Sequence, residues 1–119
     1  MAAGHGDTPE TVDWCVRKII GMRIFEDEDG KMNLDVRDVG GRLLVVSQFT
    51  LYGDCRKGRR PSFVHAAKPD EASTLVDLFV ERATSAGVEC QTGRFRTTMD
   101  VSLVNHGPVT ILLDSEKQF

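Results

Sequence analysis

Apolar residues recur along this chain with two different periods. After a polar opening, Met1 to Gly6, which reads as loop, Val12, Val16, Ile19 and Ile20 fall three or four residues apart, with Trp14 and Cys15 nearby. That spacing predicts an amphipathic helix. Thr8 is its expected N-cap, Pro9 suits the first helical position, Glu10 sits favourably in the first turn, and Gly21 marks the end. Met22–Phe25 then reads as a short strand. Glu26 to Lys31 is predicted as a turn, since Asp29-Gly30 favours positive φ. This acidic run lacks the spaced ligands and closing glutamate of a calcium loop, so a solvated turn is expected. Leu34 and Val36 alternate with Asp35 and Arg37, the pattern of a half-exposed strand. Gly40-Gly41 turns the chain into Leu43-Leu44-Val45-Val46, a continuous apolar run that predicts a strand covered on both faces.

The second half repeats the alternation of periods. Phe63 to Lys68 is irregular. Pro69 and Asp70 open a second predicted helix, with Ala72, Leu75, Val76, Phe79, Val80 and Ala83 on one face, and Gly87 closes it. Val88–Gln91 reads as a strand and Gly93-Arg94-Phe95 as a bend. Met99–Val104 alternates and predicts a strand. Asn105 to Pro108 is a tight connection, Val109–Leu113 a last strand, and Asp114–Phe119 a tail. Two helices and about six strands joined by short turns predict an α+β fold with a largely antiparallel or mixed sheet. Two helices are too few to cover that many strands, so a further layer is expected from outside this stretch of chain.

Composition narrows the class. The 119 residues suit one domain, and 40% apolar with 28% charged residues is an ordinary soluble balance. With a net charge of −3, nucleic-acid contact has to come from a local patch. No apolar run approaches the ~20 residues of a membrane span. No signal peptide is visible in MAAGHGDTPE, and Cys15, Cys55 and Cys90 are odd in number and widely spaced. Free thiols in the cytoplasm are expected, not a disulfide framework or a zinc site.

Chemistry concentrates in Leu43–Phe63. The apolar strand changes character at Ser47-Gln48-Phe49-Thr50, where hydroxyl and amide groups need partners. A turn, Gly53-Asp54, leads to the basic run Arg56-Lys57-Gly58-Arg59-Arg60, closed by Pro61. A polar pocket beside a cationic rim suits a large anionic substrate. Taken alone, Ser47 and Thr50 read as strand residues satisfied by cross-strand bonds. The second distinctive stretch is Asn105-His106-Gly107-Pro108-Val109-Thr110, which alone reads as a hairpin turn. His5, His65 and His106 are scattered, so no Ser-His-Asp set is apparent, and no spacing fits a metal.

Four motifs in order, KIIGMRIFEDEDGKMN, SQFTLYGDCRKGRRPSF, TGRF and NHGPVT, resemble the D-aminoacyl-tRNA deacylases of the bacterial and eukaryotic type, first known as D-tyrosyl-tRNA deacylases. The resemblance runs from about Gly4 to Ser115. It implies a barrel-like fold and a homodimer with its active site at the subunit interface. It also implies hydrolysis of the ester joining a D-amino acid, or glycine, to the 3′ end of tRNA, without cofactor or metal. The family's Ser-Gln-x-Thr motif falls on Ser47, Gln48, Phe49 and Thr50. Its Gly-cisPro motif falls on Gly107 and Pro108, which reach into the partner's pocket and reject L-amino acids. Phe63, Met99 and Asn105 are substrate-binding candidates, with packing the simpler role for Phe63 and Met99. Arg56, Lys57, Arg59 and Arg60 are candidates for contact with the tRNA backbone.

The chain departs from the family in two places. Arg96, Thr97 and Thr98 stand where the family carries small residues before its methionine. Strands that precede the family's counterpart of Met1 are absent, so residues 1–119 read as one N-terminally incomplete domain. The expected chemistry uses the Phe49 and Thr50 N–H groups toward the scissile carbonyl, Gln48 to position the terminal adenosine, and the adenosine 2′-hydroxyl to activate water. Thr50 as nucleophile ranks second, because no base stands beside it in the sequence. The alternative function is a non-catalytic RNA-binding or interaction protein on the same fold.

Overall fold

The computed structural model describes residues 1–118; Phe119, the end of the expected tail, lies outside them. The first helix, α1, spans Pro9–Ile20 and buries Val12, Val16 and Ile20. Its start follows the expected chemistry with one addition. Thr8 Oγ1 accepts from the Thr11 N–H (3.4 Å), and Thr11 Oγ1 accepts in return from the Thr8 N–H (3.3 Å). Two of the helix's orphan donors are thereby satisfied reciprocally.

A short hairpin comes next, β1 (Phe25–Glu26) antiparallel to β2 (Met32–Leu34). Asp27 organises its turn. One carboxylate oxygen accepts from the Asp29 and Lys31 amides (2.9 and 3.0 Å), the other from Asn33 Nδ2 (2.6 Å). These bonds, the Asn33 one foremost, hold the Asp27 carboxyl below its ordinary pKa. The left-handed backbone that the turn requires falls on Gly30 (φ 72°). Hydrogen bonding within the turn thus accounts for the acidic run. The strands are displaced from the expected positions: only Phe25 of Met22–Phe25 is paired, and β2 ends at Leu34, so Asp35 and Val36 lie in the turn beyond it.

The core is built by α1, α2 (Pro69–Ser85) and β3 (Leu43–Val45), with β4 (Cys90–Thr92) packed at its edge through Cys90. β3 and β4 run parallel, with Leu43 opposite Cys90 and Val45 opposite Thr92. Parallel neighbours need a crossover, and α2 lies within it. α2 packs against both α1 and β4 and buries Leu75, Val76, Phe79 and Ala83. Its end is a Schellman turn: Val88 N–H reaches the Ala83 carbonyl (3.1 Å) and Gly87 N–H the Thr84 carbonyl (3.0 Å), with Gly87 at φ 90°. This turn delivers Val88, at 2% exposure, into the core.

Three expectations need correction. The Leu43 strand is not covered on both faces, for Leu44 is 59% exposed. Met1–Gly6 is more than a loop: Ala3 and Gly4 are buried, and Gly4 bridges to Ala66. The strands expected at Met99–Val104 and Val109–Leu113 do not form, because residues 100–113 pair with no other segment among the described residues. A strand needs a ladder partner, and alternation alone cannot supply one. The four strands therefore make two two-stranded sheets and no barrel among the described residues. The fold is α+β with two helices and mixed strand pairing.

The unpaired segment leaves the molecule open. Val104 and Leu112 are 91% and 71% exposed. Total accessible surface is 9183 Å², against roughly 6,400 Å² for a folded monomer of this mass. Phe79 is buried in the core at 3% exposure, whereas Leu44 faces solvent. Phe79→Ala is expected to cost about 3–5 kcal/mol in urea-induced unfolding. Leu44→Thr should change stability by less than about 1 kcal/mol.

Candidate active site

The site forms where β3 stops. Beyond Val45, the backbone is held on both edges. The Gly93 N–H donates to the Val45 carbonyl (3.0 Å) on one side. On the other, the Met1 nitrogen donates to the Val46 carbonyl and the Gln48 N–H to the Met1 carbonyl, both 2.7 Å. The chain then tightens into a short 3-10 turn, Phe49–Tyr52. Leu51 and Gly53 donate to the carbonyls of Gln48 and Thr50 (3.2 and 3.0 Å). Among the described residues, the Phe49 and Thr50 N–H groups have no acceptor. Two adjacent donors are therefore free at the strand's end, where a developing negative charge can be received.

The side chains around them are ordered without a charged group. Gln48 Nε2 donates to Thr50 Oγ1. The hydroxyl thus has an amide donor for a neighbour, and no base is bonded to it among the described residues. Phe49 and Phe63 meet edge to face, ring centres 5.0 Å apart at 65°. Met99 Sδ accepts from the Arg94 N–H (3.3 Å), which folds residues 93–99 back toward β3. A Cβ on Gly93 would stand 2.9 Å from that sulfur, so glycine permits the close approach.

These residues border a cavity of about 940 Å³. Ser47, Gln48, Phe49, Phe63 and Met99 all line it; Thr50 stands just outside. Ala3, His5, Lys68, Phe95 and Arg96 also line it and were not singled out as site residues from the sequence. Of these, only Arg96 carried a signal, as a departure from the family's small residues. His5 and Lys68 are far from the motif in sequence and arrive through the Gly4–Ala66 bridge and the start of α2. Among the described residues no Asp or Glu lines the cavity, although the chain has 18 of them.

The basic loop sits to one side. Asp54 and Ser62 close it with two backbone bonds (2.8 and 2.9 Å). Arg56 grips Asp54 through two parallel bonds, Nε to Oδ1 at 2.9 Å and Nη2 to Oδ2 at 2.7 Å. Arg56 holds the Asp54 carboxyl far below its ordinary pKa. One of the four expected tRNA-facing cations is therefore already engaged. Lys57, Arg59 and Arg60 are exposed and belong to none of the ion pairs among the described residues. Arg56 and Lys57 border a second hollow of about 600 Å³.

The Gly107–Pro108 bond is cis. Asn105, Gly107 and Pro108 are exposed, and none lines the cavity of their own chain. The structure thus gathers five of the candidate residues around one space. It leaves the Asn105–Pro108 tip and the tips of Arg59 and Arg60 apart from it.

An α+β chain whose cavity, lined by no Asp or Glu among the described residues, lies at the end of a strand covered on one face is the class that fold and site define. Comparison with known proteins gives the family. The family model described as D-Tyr-tRNA(Tyr) deacylase matches residues 1–114. The D-aminoacyl-tRNA deacylase of Thermotoga petrophila is 58% identical over 119 residues, all of this chain and 80% of that protein. That of Clostridioides difficile is likewise 58% identical, with the same coverage. The solved structure of a c-Myc DNA Unwinding Element Binding Protein superposes with a TM-score of 0.89 at 35% identity, over 96% of this chain and 78% of that one. The chain belongs to the D-Tyr-tRNA(Tyr) deacylase family. No helix among the described residues is long and apolar enough to cross a membrane.

Asp54 offers a direct check on the loop. Its ionised form is favoured by Arg56, so the loop's contribution to stability is complete above the ordinary Asp range and is lost as pH falls below it. In an NMR-monitored acid titration, Asp54 should still be ionised near pH 3, and Arg56→Ala should raise its midpoint toward the ordinary Asp value of about 3.9 without reaching it, since the residue-56 N–H still donates to Asp54 Oδ1.

Proposed function

We propose that this chain hydrolyses the ester of D-aminoacyl-tRNA, releasing a free D-amino acid and tRNA. The observation that carries the reading is the pair of N–H groups, Phe49 and Thr50, that have no acceptor among the described residues, beside a cavity that no described Asp or Glu lines. In the proposed step, water attacks the carbonyl carbon while both amides receive the oxyanion. The bond to the ribose 3′ oxygen then breaks, and that oxygen leaves with a proton. Gln48 and Ser47 orient the terminal adenosine, and Phe49, Phe63 and Met99 supply its apolar surroundings. Among the described residues no base is bonded to Thr50, so the adenosine 2′-hydroxyl is assigned to orient or activate the water. An ordered amide costs no reorganisation when charge develops, and one such donor is typically worth about 10²–10³ in rate.

Handedness is assigned to Gly107 and Pro108 acting on a second copy of the chain. The support is the exposed segment 100–113, whose apolar residues have no cover within one protomer, and the surplus accessible surface. A twofold pair would bury both tips, each in the other's cavity. Backbone atoms there would fill the volume an L side chain needs, and glycine would pass because it has none. Asn105 would enter the partner's site with them. Lys57, Arg59 and Arg60 would meet tRNA phosphates, with Arg56 restrained by Asp54.

A second reading, nucleic-acid binding without turnover, is favoured by the 35% identical neighbour, whose name is that of a protein binding a DNA element. Deacylation of D-Tyr-tRNA and L-Tyr-tRNA separates the two: the enzyme releases D-tyrosine and spares the L ester, and binding without release supports the module. Thr50→Ala should retain most of kcat, whereas a nucleophile would lose about 10³-fold or more. A 2′-deoxy terminal adenosine should be the severe change instead. In sedimentation the particle should have twice the 13.2 kDa chain mass. A monomer that still discriminates D from L would defeat the cross-subunit role of Gly107 and Pro108.

A further inference from the structure

The residue at the tip of the 93–99 fold is strained. Arg96 has φ 57°, in the left-handed region that L side chains seldom occupy and glycine adopts freely. The fold is pinned at both ends, by the Gly93 N–H on the Val45 carbonyl and by the Arg94 N–H on Met99 Sδ. Thr97 Oγ1 adds a bond to the Arg94 carbonyl (2.9 Å). Closing so short a span sets the backbone at position 96, and an arginine is held there where a small residue would be easier. Such strain persists most often where a site uses it.

Arg96 also lines the cavity, as does Lys68 at the N-cap of α2. Neither belongs to any ion pair among the described residues. Asp70 and Glu71, in the first turn of α2, are not part of the cavity wall. In a chain with an excess of acidic residues, the cavity therefore has two uncommitted cations and, among the described residues, no carboxylate. That distribution selects an anion bound next to the ester pocket.

We propose that Arg96, assisted by Lys68, binds the phosphodiester on the 5′ side of the terminal adenosine. This rests on the reading of the cavity as the aminoacyl-ester site. With the ester at the Phe49 and Thr50 amides, that phosphate is the nearest negative charge the substrate carries. A guanidinium fits it through two parallel bonds and keeps its charge at any working pH. The contact would seat the 3′ end before chemistry, so it should act on KM far more than on kcat.

The test compares two small substrates, 3′-O-D-tyrosyl adenosine with a free 5′-hydroxyl and the same ester on the dinucleotide CpA. The unmodified chain should favour the phosphate-bearing ester by about tenfold or more in kcat/KM, the scale of a charge-assisted contact. Arg96→Gly should shrink that preference to about twofold or less, the loss falling on the dinucleotide ester more than on the nucleoside ester. Its melting temperature should hold or rise, since glycine relieves the left-handed backbone. On full tRNA, the slope of log(kcat/KM) against log[salt] should flatten by about 0.7 for the lost phosphate contact. Arg96→Lys should restore part of the preference. Turnover of both esters with the same preference in Arg96→Gly would overturn the assignment while leaving the deacylase reading intact. No turnover of D-Tyr-tRNA or of either ester by the unmodified chain would overturn both.

Discussion

The constraint on which the rest depends is that α2 must be covered on two sides at once. Its stripe of Leu75, Val76, Phe79 and Ala83 is shared between α1 and the β3–β4 pair. β3 and β4 are parallel, so the chain has to cross over between them, and α2 is the helix of that crossover. Both strands consequently end on the same side of the molecule. Residues 46–49, after β3, and residues 95–99, after β4, are thrown together there and form part of the cavity wall, which residues 1–3 and the start of α2 complete. Ligand sites at the carboxyl ends of parallel strands are a recurring outcome of this geometry.

The chemistry of the site is that of backbone and neutral side chains. Two amides are left without acceptors because the strand stops and the turn that replaces it starts too late to use them. The Thr50 hydroxyl is engaged by the Gln48 amide. Carboxylates, abundant elsewhere, are absent from the wall among the described residues, which keeps repulsion away from an anionic ligand. In the proposed reaction this site stabilises charge and orients groups, and the acid–base work is assigned to the ligand itself.

The segment that leads away from the cavity is left uncovered among the described residues. Residues 100–113 are extended and apolar at alternate positions, yet they have neither a ladder partner nor a covering layer among the described residues. One face of β3 is open at Leu44 as well. Exposed apolar surface of this extent marks an interaction surface, and a second copy is the occupant that the proposed handedness filter needs.

Much was legible in the residues. Both helices, Thr8 and Pro9 at the start of α1, the Asp29-Gly30 turn and a strand beginning at Leu43 come from local periodicity, capping and turn chemistry, which are read within a few residues of sequence. The motifs around Ser47 and Gly107 carried the family, because matched residues in order are informative without any coordinates. Other features depended on distance in the chain. Met99–Val104 and Val109–Leu113 have the alternation of strands and are not strands, since a strand exists only with a partner. Lys68 and Arg96 share a cavity wall with Ser47 only because the α2 crossover brings the ends of β3 and β4 together. Local pattern determined the elements and the motif; which surfaces are covered and which charges face the cavity was decided by long-range packing, where burial depends on residues far apart in sequence.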